Sequence, residues 1–494
     1  MDSVDLPPHV HHLLDWLKEG GAYLSPSVEV KYDDVYGLFL RSTTPLDSNN
    51  KILSVPFDLA ISASTGEEAI IGLLGQNKPE AWKKSVRDEL GPKEKVISYV
   101  ILHWIARQLD DESSKINEAW RQQPQLLRHA PYIEALPTAT EMTTPLWFTP
   151  EEMELLRGTS VFGATADLRC QWEEEWKSVG TLLDLTEADG FTWERYLLAS
   201  TYISSRSFPS KLLDLTPTTA ASYPILVPAL DLLNHRSSHP VTWVSNPSSS
   251  LSSSSPDAKP IVGTIDFIHH PDLPNPHSQI FNNYGAKPSS SLLLSYGFAL
   301  PLSSQPEHVE TVPLLIAGVV SSKQDLCEDL GLGKTVRKTW NLTVGKNGEA
   351  VVEDGLRALL RVLVADGEEE GLIRSRARVD GTKTDVVDVV SGENECMALD
   401  TLGAMVQSKL QVLLDVDQSD REGDQTEVDA EKGKKQTGVG NVRKSIRRTC
   451  RIYREGQIEI LQAAQIWIEQ EITRVEDEFG LAEEIDEDEE DEEE

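Results

Sequence analysis

Asn234-His235, Tyr284, Tyr296, Arg206 and Gly37 are the residues here whose types and surroundings could do chemistry. Singly, each has a plain alternative. His235 is a structural hydrogen bonder or a catalyst. Tyr284 and Tyr296 are core tyrosines with satisfied hydroxyls or members of a site. Arg206 reads as a surface cation, and Gly37-Leu38 as a turn. His269-His270-Pro271, with His277 beyond it, has the donor types of a metal site, but its prolines and uneven spacing favour a loop. Cys170, Cys327, Cys396 and Cys450 lie far apart and form no CxxC or CxC unit. Neither a disulfide framework nor a cysteine zinc site is expected, and no metal is.

The elements that must position these residues fall into four stretches. His9–Gly20 carries Val10, Leu13, Leu14 and Leu17 at helical spacing and stops at Gly20-Gly21. Strand-like runs follow at Val28–Tyr32, Gly37–Leu40 and Ile52–Pro56. From 65 to 198 the pattern is helical, as in Val96–Leu109 and Trp172–Leu185. Thr149-Pro150-Glu151-Glu152 is a helix start, with a cap, a first-turn proline and acids on the positive end of the dipole. Strand character returns at Ile225–Pro228, Ile261–His269 and Leu292–Tyr296, interrupted by the Ser/Pro run 245–256. Beyond 305 the chain is mainly helical, with long apolar periodicities at Val351–Val364 and Ile446–Val475. Residues 415–441, rich in Asp, Glu, Gly, Lys and Gln, read as a disordered loop.

The chain is therefore read as α+β: a β-rich core (1–64 and 199–304) split by a helical insert (65–198). A helical domain (305–480) and an acidic tail (481–494) follow. The 81 acidic and 46 basic residues of its 494 leave a net charge of −35. Such a field repels phosphate backbones, so nucleic acid is not expected as a partner, and basic proteins are. From Glu483 to Glu494 every residue but Ile485 is acidic, which reads as a solvated tail. The longest apolar stretch, near Val312–Val320, is too short for a membrane span. The start Met1-Asp2-Ser3-Val4-Asp5 carries no secretory signal, which points to cytoplasm or nucleus. A monomer is expected.

The order of the motifs adds what single residues lack. Asp231-Leu232-Leu233-Asn234-His235 resembles the Asp-x-x-Asn-His motif of SET-domain protein methyltransferases. Phe281-Asn282-Asn283-Tyr284-Gly285 and Ser295-Tyr296-Gly297-Phe298 resemble the paired-tyrosine motif of the Rubisco large-subunit methyltransferase class. Leu14–Leu17 with Gly20-Gly21-Ala22, Asp34–Leu38, Ser205-Arg206-Ser207-Phe208 and Tyr453–Gln457 are similar to four further elements of that class. The likeness runs from Leu13 to Phe479. It departs at Ser289-Ser290-Ser291, where the class often has Asn and Glu, and at Lys211, a loose match to its second basic residue.

The resemblance implies a SET core around a helical insert, followed by a helical substrate-binding domain. It implies S-adenosyl-L-methionine as methyl donor and a lysine of a non-histone protein as acceptor. In-line displacement from a sulfonium needs alignment and no metal. Carried over by residue, Asp34, Tyr36 and Gly37 hold the cofactor, and the glycine lets backbone approach closely. Arg206 lies by the cofactor carboxylate, where a guanidinium fork suits. Asp231, Asn234, His235 and Phe298 complete the cofactor set. Tyr284 is the catalytic tyrosine, and Tyr296 and Trp243 are substrate-binding. Family analogy makes a basic ribosomal or translation-associated protein the expected substrate. Two alternatives remain: a protein-histidine methyltransferase, and a non-catalytic acidic binder of basic proteins. The branch of the class that methylates an actin histidine has Trp just before the Asp-x-x-Asn-His motif and an Asn near the Ser-Arg element; Leu230 and Arg206-Ser207 do not resemble that pattern, which favours lysine over histidine.

Overall fold

The structure is a computed structural model. It describes residues 6–33, 37–107, 115–213, 221–246, 263–316, 321–330, 332, 339–380, 389–433 and 442–481. Asp34, Tyr36, residues 247–256 of the Ser/Pro run and the acidic tail lie outside the described residues. The chain divides into two compact units.

The first unit comprises Met1–Trp147, Thr165–Ala286 and Leu294–Gly297. Its main sheet is antiparallel, in the order Tyr23–Leu24, Asn50–Pro56, Thr264–His269, Val241–Asn246. The two inner strands bury Ile52, Leu53, Val55, Ile265 and Phe267; in the second, Ile265 and Phe267 flank a buried Asp266 that accepts from the Ser54 hydroxyl. A second sheet joins Val28–Asp33, Gly37–Ser42 and Gln279–Ile280. A short ribbon pairs Ser207–Pro209 with Pro224–Leu226.

Helices from Ala63 to Arg206 separate the early strands from the late ones. The first starts where Ser62 Oγ accepts from Thr65 N–H and the Thr65 hydroxyl reaches back. Pro92–Ala106 is the axis of the insert, with Pro92 in its first turn and Val96 to Leu102 all buried. Among the described residues no helix is long and apolar enough to cross a membrane.

That buried axis carries His103, whose ring nitrogens have no hydrogen-bond partner among the described residues. Burial, with some help from Arg107, pushes its pKa down to about 3. His129, also buried, is held low for the same reason. The unfolded chain takes these protons near pH 6.5, and the folded unit refuses them. The folded-state pKa is thus depressed, so stability is full above about 6.5 and falls with pH toward 3. The loss approaches about 1.4 kcal/mol per pH unit for each such ring. His103→Leu should flatten the fall in urea midpoint between pH 6.5 and 4; an unchanged slope would mean the ring already titrates in the fold.

The second unit comprises Phe148–Ala164, Lys287–Leu293 and Phe298–Glu494. Thr149 caps Pro150–Glu154 as its sequence demands, its Oγ1 accepting from Glu152 N–H. The helices Gly392–Gly433 and Lys444–Phe479 pack side by side over a core with Leu342, Leu356, Leu359, Leu402 and Ile460.

Two expectations are corrected. Residues 415–433 are helix, not disordered loop, and 434–441 lie outside the described residues. Asp417, Asp420 and Asp424 fall on one face of that helix and meet Arg447, Arg451 and Arg454 of the last one. These three carboxylates are therefore paired rather than mutually repelling. Leu292–Tyr296 is the end of a helix, Ser289–Tyr296, rather than a strand. Three successive leucines fit either period, and only Leu292 and Leu293 are buried. The region after 305 is mainly helical as expected, and it also contains an antiparallel sheet of Val312–Leu315, Thr339–Val344 and Ala350–Val352.

Candidate active site

The first unit brings the two ends of its core together in a tight crossing. Asn282 N–H donates to the Asn234 carbonyl at 2.7 Å, and Arg236 N–H donates to the Asn282 carbonyl at 3.0 Å. His235 and Asn282 thus form a parallel bridge between segments 47 positions apart. Asn282 is fully buried. Its Oδ1 accepts from Trp243 Nε1 at 3.1 Å and from Asn283 N–H at 2.8 Å.

The crossing aligns three rings. His235 stacks on Tyr284 at 4.9 Å and 20°, and Tyr284 stacks on Tyr296 at 4.9 Å and 24°. Tyr284 N–H donates to His235 Nδ1 at 3.0 Å, so the neutral imidazole carries its proton on Nε2. The Tyr284 hydroxyl donates to the Leu233 carbonyl at 2.8 Å. Tyr296 arrives at the end of the Ser289–Tyr296 helix, where Ser204 Oγ donates to the Ser295 carbonyl at 3.2 Å. The next residue must be glycine. Gly297 has φ +79°, and a Cβ there would lie 2.2 Å from Thr143 Oγ1 and 2.7 Å from its carbonyl carbon. Burial pushes the Tyr284 hydroxyl well above the ordinary tyrosine range, and Arg206 offsets only part of this. Burial also raises Tyr296.

Arg206, the last residue of the helix Trp193–Arg206, meets Asp231. Its Nη1 donates to Asp231 Oδ2 at 3.1 Å and to the Asp231 carbonyl at 3.4 Å. The Tyr132 hydroxyl gives that same Oδ2 a second hydrogen bond at 2.9 Å. The Asp231 side chain is 1% exposed, whereas Arg206 keeps 24% of its surface open. Burial lifts the Asp231 carboxyl, and Arg206 and Tyr132 hold it back. For Arg206, burial favours the neutral form, but Asp231 overcomes it and raises the pKa. The pair is an ion pair with one open side.

Arg206, Asp231, His235, Tyr284 and Tyr296 are thus gathered in the first unit. Asn234 contributes its carbonyl to the crossing. Gly37 sits at φ +65° with nothing within 4 Å of where a Cβ would be, so one side of its backbone is open. Its companions Asp34 and Tyr36 lie outside the described residues. Trp243 donates to Asn282 and meets Phe208 edge-on at 5.2 Å, so it braces the crossing. Phe298 is half-buried and belongs to the second unit. Three participants escaped the sequence reading: Tyr132, the Asn282 amide and the Leu233 carbonyl. Asn282 stands beside the tyrosine motif and was open to inference; Tyr132 carries no local signal.

The rings of His269 and His270 have protein partners. His269 and His239 approach at 2.9 Å through their Nε2 atoms, and His270 lies between Thr242 Oγ1 and Asn49 Oδ1, each at 2.7 Å. Among the described residues no group of three or more His, Cys, Asp or Glu is placed to hold a metal. A hollow of about 1610 Å³ opens in the helical insert, beside Trp104, Trp120 and His103, and none of the gathered residues lines it.

No family model matches the chain. The ribosomal lysine N-methyltransferase set10 of Schizosaccharomyces pombe is 32% identical over 170 residues, 34% of this chain and 28% of that protein. An actin-histidine N-methyltransferase of Drosophila melanogaster is 23% identical over 331 residues, 63% of this chain and 52% of that protein. The chain thus spans between a quarter and about half the length of these curated relatives. The crystal structure of the SET domain of LSMT bound to lysine and AdoHcy superposes with a TM-score of 0.64. It is 20% identical and covers 96% of this chain and 94% of that one. The chain has the SET fold seen in LSMT.

Proposed function

We propose that this chain is an S-adenosylmethionine-dependent protein methyltransferase acting on a lysine side chain. One observation carries the reading: the open Arg206–Asp231 pair stands with the His235–Tyr284–Tyr296 stack in a SET fold. That arrangement suits a ligand bearing both a carboxylate and a sulfonium. The guanidinium complements the first, and aromatic faces accommodate the second.

S-adenosylmethionine, when bound, supplies a methyl group already activated for displacement. Everything else falls to the chain. In this reading Arg206 takes the carboxylate, and the open backbone side of Gly37 lets the ligand lie close, with Asp34 and Tyr36 its neighbours in sequence. The Asn234-His235 crossing completes that pocket within the first unit. Asp231 acts through Arg206, because its own carboxylate is closed off. Tyr284 and Tyr296 wall the acceptor route, and Trp243 holds the crossing through Asn282. An acceptor amine must shed its proton, and a dry aromatic wall helps by disfavouring the ammonium. Tyr284 is no base for this, since burial keeps its phenol protonated.

The net charge of −35 favours a basic protein as substrate, and the set10 relative makes a ribosomal or translation-associated protein the first class to test. Cytoplasm or nucleus is the matching compartment. The actin-histidine relative favours histidine as the second acceptor to test.

Isothermal titration should show S-adenosylmethionine binding below ~100 µM, the usual range for such substrates. Tritiated methyl transfer into a proteome lacking this protein should label a basic protein, with mass spectrometry placing the methyl on a lysine. Methyl on an imidazole would move the assignment to histidine. Absence of cofactor binding would remove the enzyme reading and favour a non-catalytic binder of basic proteins.

A further inference from the structure

We propose that Tyr132, contributed by the helical insert, is a positioning residue that keeps the Arg206 fork free for a ligand carboxylate. The inference rests on the reading of Arg206 as a carboxylate-binding group. It concerns a residue outside every motif that suggested that reading.

The hydrogen-bond inventory of the buried carboxylate is lopsided. Asp231 Oδ2 receives both the Tyr132 hydroxyl and Arg206 Nη1. Oδ1 is sealed from solvent and has no hydrogen-bond partner among the described residues. A carboxylate beside a guanidinium ordinarily engages it with both oxygens and two nitrogens. Here only Nη1 is used, toward Oδ2 and the Asp231 carbonyl. Nε and Nη2 make no hydrogen bond among the described residues, and the side chain stays partly open. Two donors on one side of the guanidinium are thus left for an incoming planar anion.

Tyr132 explains why the fork is not consumed by Asp231. It is buried on the short helix Ala130–Ala135, and its hydroxyl occupies Oδ2 at 2.9 Å. With its hydroxyl in place, Oδ2 has two donors and the carboxylate needs no second guanidinium N–H there. Without it, Oδ2 keeps one donor and Oδ1 still none, in a site that water does not reach. The only charged donor at hand is Arg206, so the guanidinium turns to grip Asp231 with two nitrogens, and the fork is lost to a ligand. The helical insert is then part of the binding site as well as a scaffold.

The test compares two ligands, S-adenosylmethionine and its decarboxylated analogue, on the full chain and on Tyr132→Phe. The parent should prefer the carboxylate-bearing ligand. Tyr132→Phe should weaken that ligand about tenfold, leave the analogue within twofold, and leave kcat at saturating donor within twofold. In an Arg206→Gln background, Tyr132→Phe should change neither affinity. Equal weakening of both ligands, or a variant that no longer folds, would mean that Tyr132 braces the fold only and would overturn the assignment. So would an unchanged preference between the ligands while the parent binds S-adenosylmethionine, which leaves the enzyme reading intact. A parent that binds neither ligand overturns both.

Discussion

Tyr284→Phe lowers turnover on the order of 10²-fold, the size of effect seen when one preorganised polar group is removed from a reacting centre. S-adenosylmethionine should still bind within about threefold of the parent affinity. The split follows from the geometry. The ring is held by His235 on one face and Tyr296 on the other, and its backbone N–H by His235 Nδ1. None of these contacts uses the hydroxyl, so the wall survives in phenylalanine. The hydroxyl proton goes to the Leu233 carbonyl, which turns the oxygen lone pairs away from that carbonyl. Those lone pairs are what the variant loses. They can accept from an acceptor amine or from C–H bonds polarised by a sulfonium.

The pH profile separates this role from that of a general base. Burial keeps the Tyr284 phenol protonated well above the ordinary tyrosine range, so it does not titrate under assay conditions. Rate should rise with pH as the acceptor lysine, ordinarily near pKa ~10.4, is deprotonated. Parent and variant should rise in parallel between pH 7 and 9. A variant whose rate became flat with pH would make Tyr284 the base and contradict the assignment. Turnover within a factor of two of the parent would remove it from the chemistry.

The legible parts of the site share one property: their signal is local. Asp231-Leu232-Leu233-Asn234-His235 and the Tyr284 and Tyr296 segments lie within short windows, and the structure stacks their rings on one another. Tyr132 was illegible because its one informative contact reaches 99 positions along the chain, to Asp231. Nothing in the spacing of Ala130–Ala135 distinguishes its tyrosine from a core filler. The resemblance gives Trp243 a substrate-binding role, and the fold adds that its N–H donates to Asn282, 39 positions along the chain. Fold boundaries followed the same rule. The capped start at Thr149-Pro150 was readable in four residues. The sheet of the second unit was not, because its strands are short and lie next to helical periodicities.

The helix at 415–433 makes the sharpest energetic prediction. Composition counts its carboxylates as mutually repelling, but in the fold each is judged by its partners. Asp420 is 0% exposed and accepts from Arg447 Nη1 at 2.7 Å, Arg451 Nη2 at 3.1 Å and Arg454 Nη2 at 2.6 Å. Arg454 is itself fully buried and also holds Asp417 and the Leu155 carbonyl. Asp424, one turn further on, is 42% exposed and meets Arg451 at 3.2 Å. Asp420→Ala strands guanidinium groups that water cannot reach, and removing one partner of a buried pair costs about 3–5 kcal/mol. Asp424→Ala removes a pair that solvent already screens, worth below ~1 kcal/mol. Urea unfolding followed by far-ultraviolet dichroism should therefore show a large fall in midpoint for Asp420→Ala and almost none for Asp424→Ala. The Asp420→Ala loss should persist at 1 M salt, where screening acts within about 3 Å and erases exposed pairs first. Equal small effects at both positions would mean that this stretch does not pack as the arginine-paired helix, and that the reading from composition was the better one.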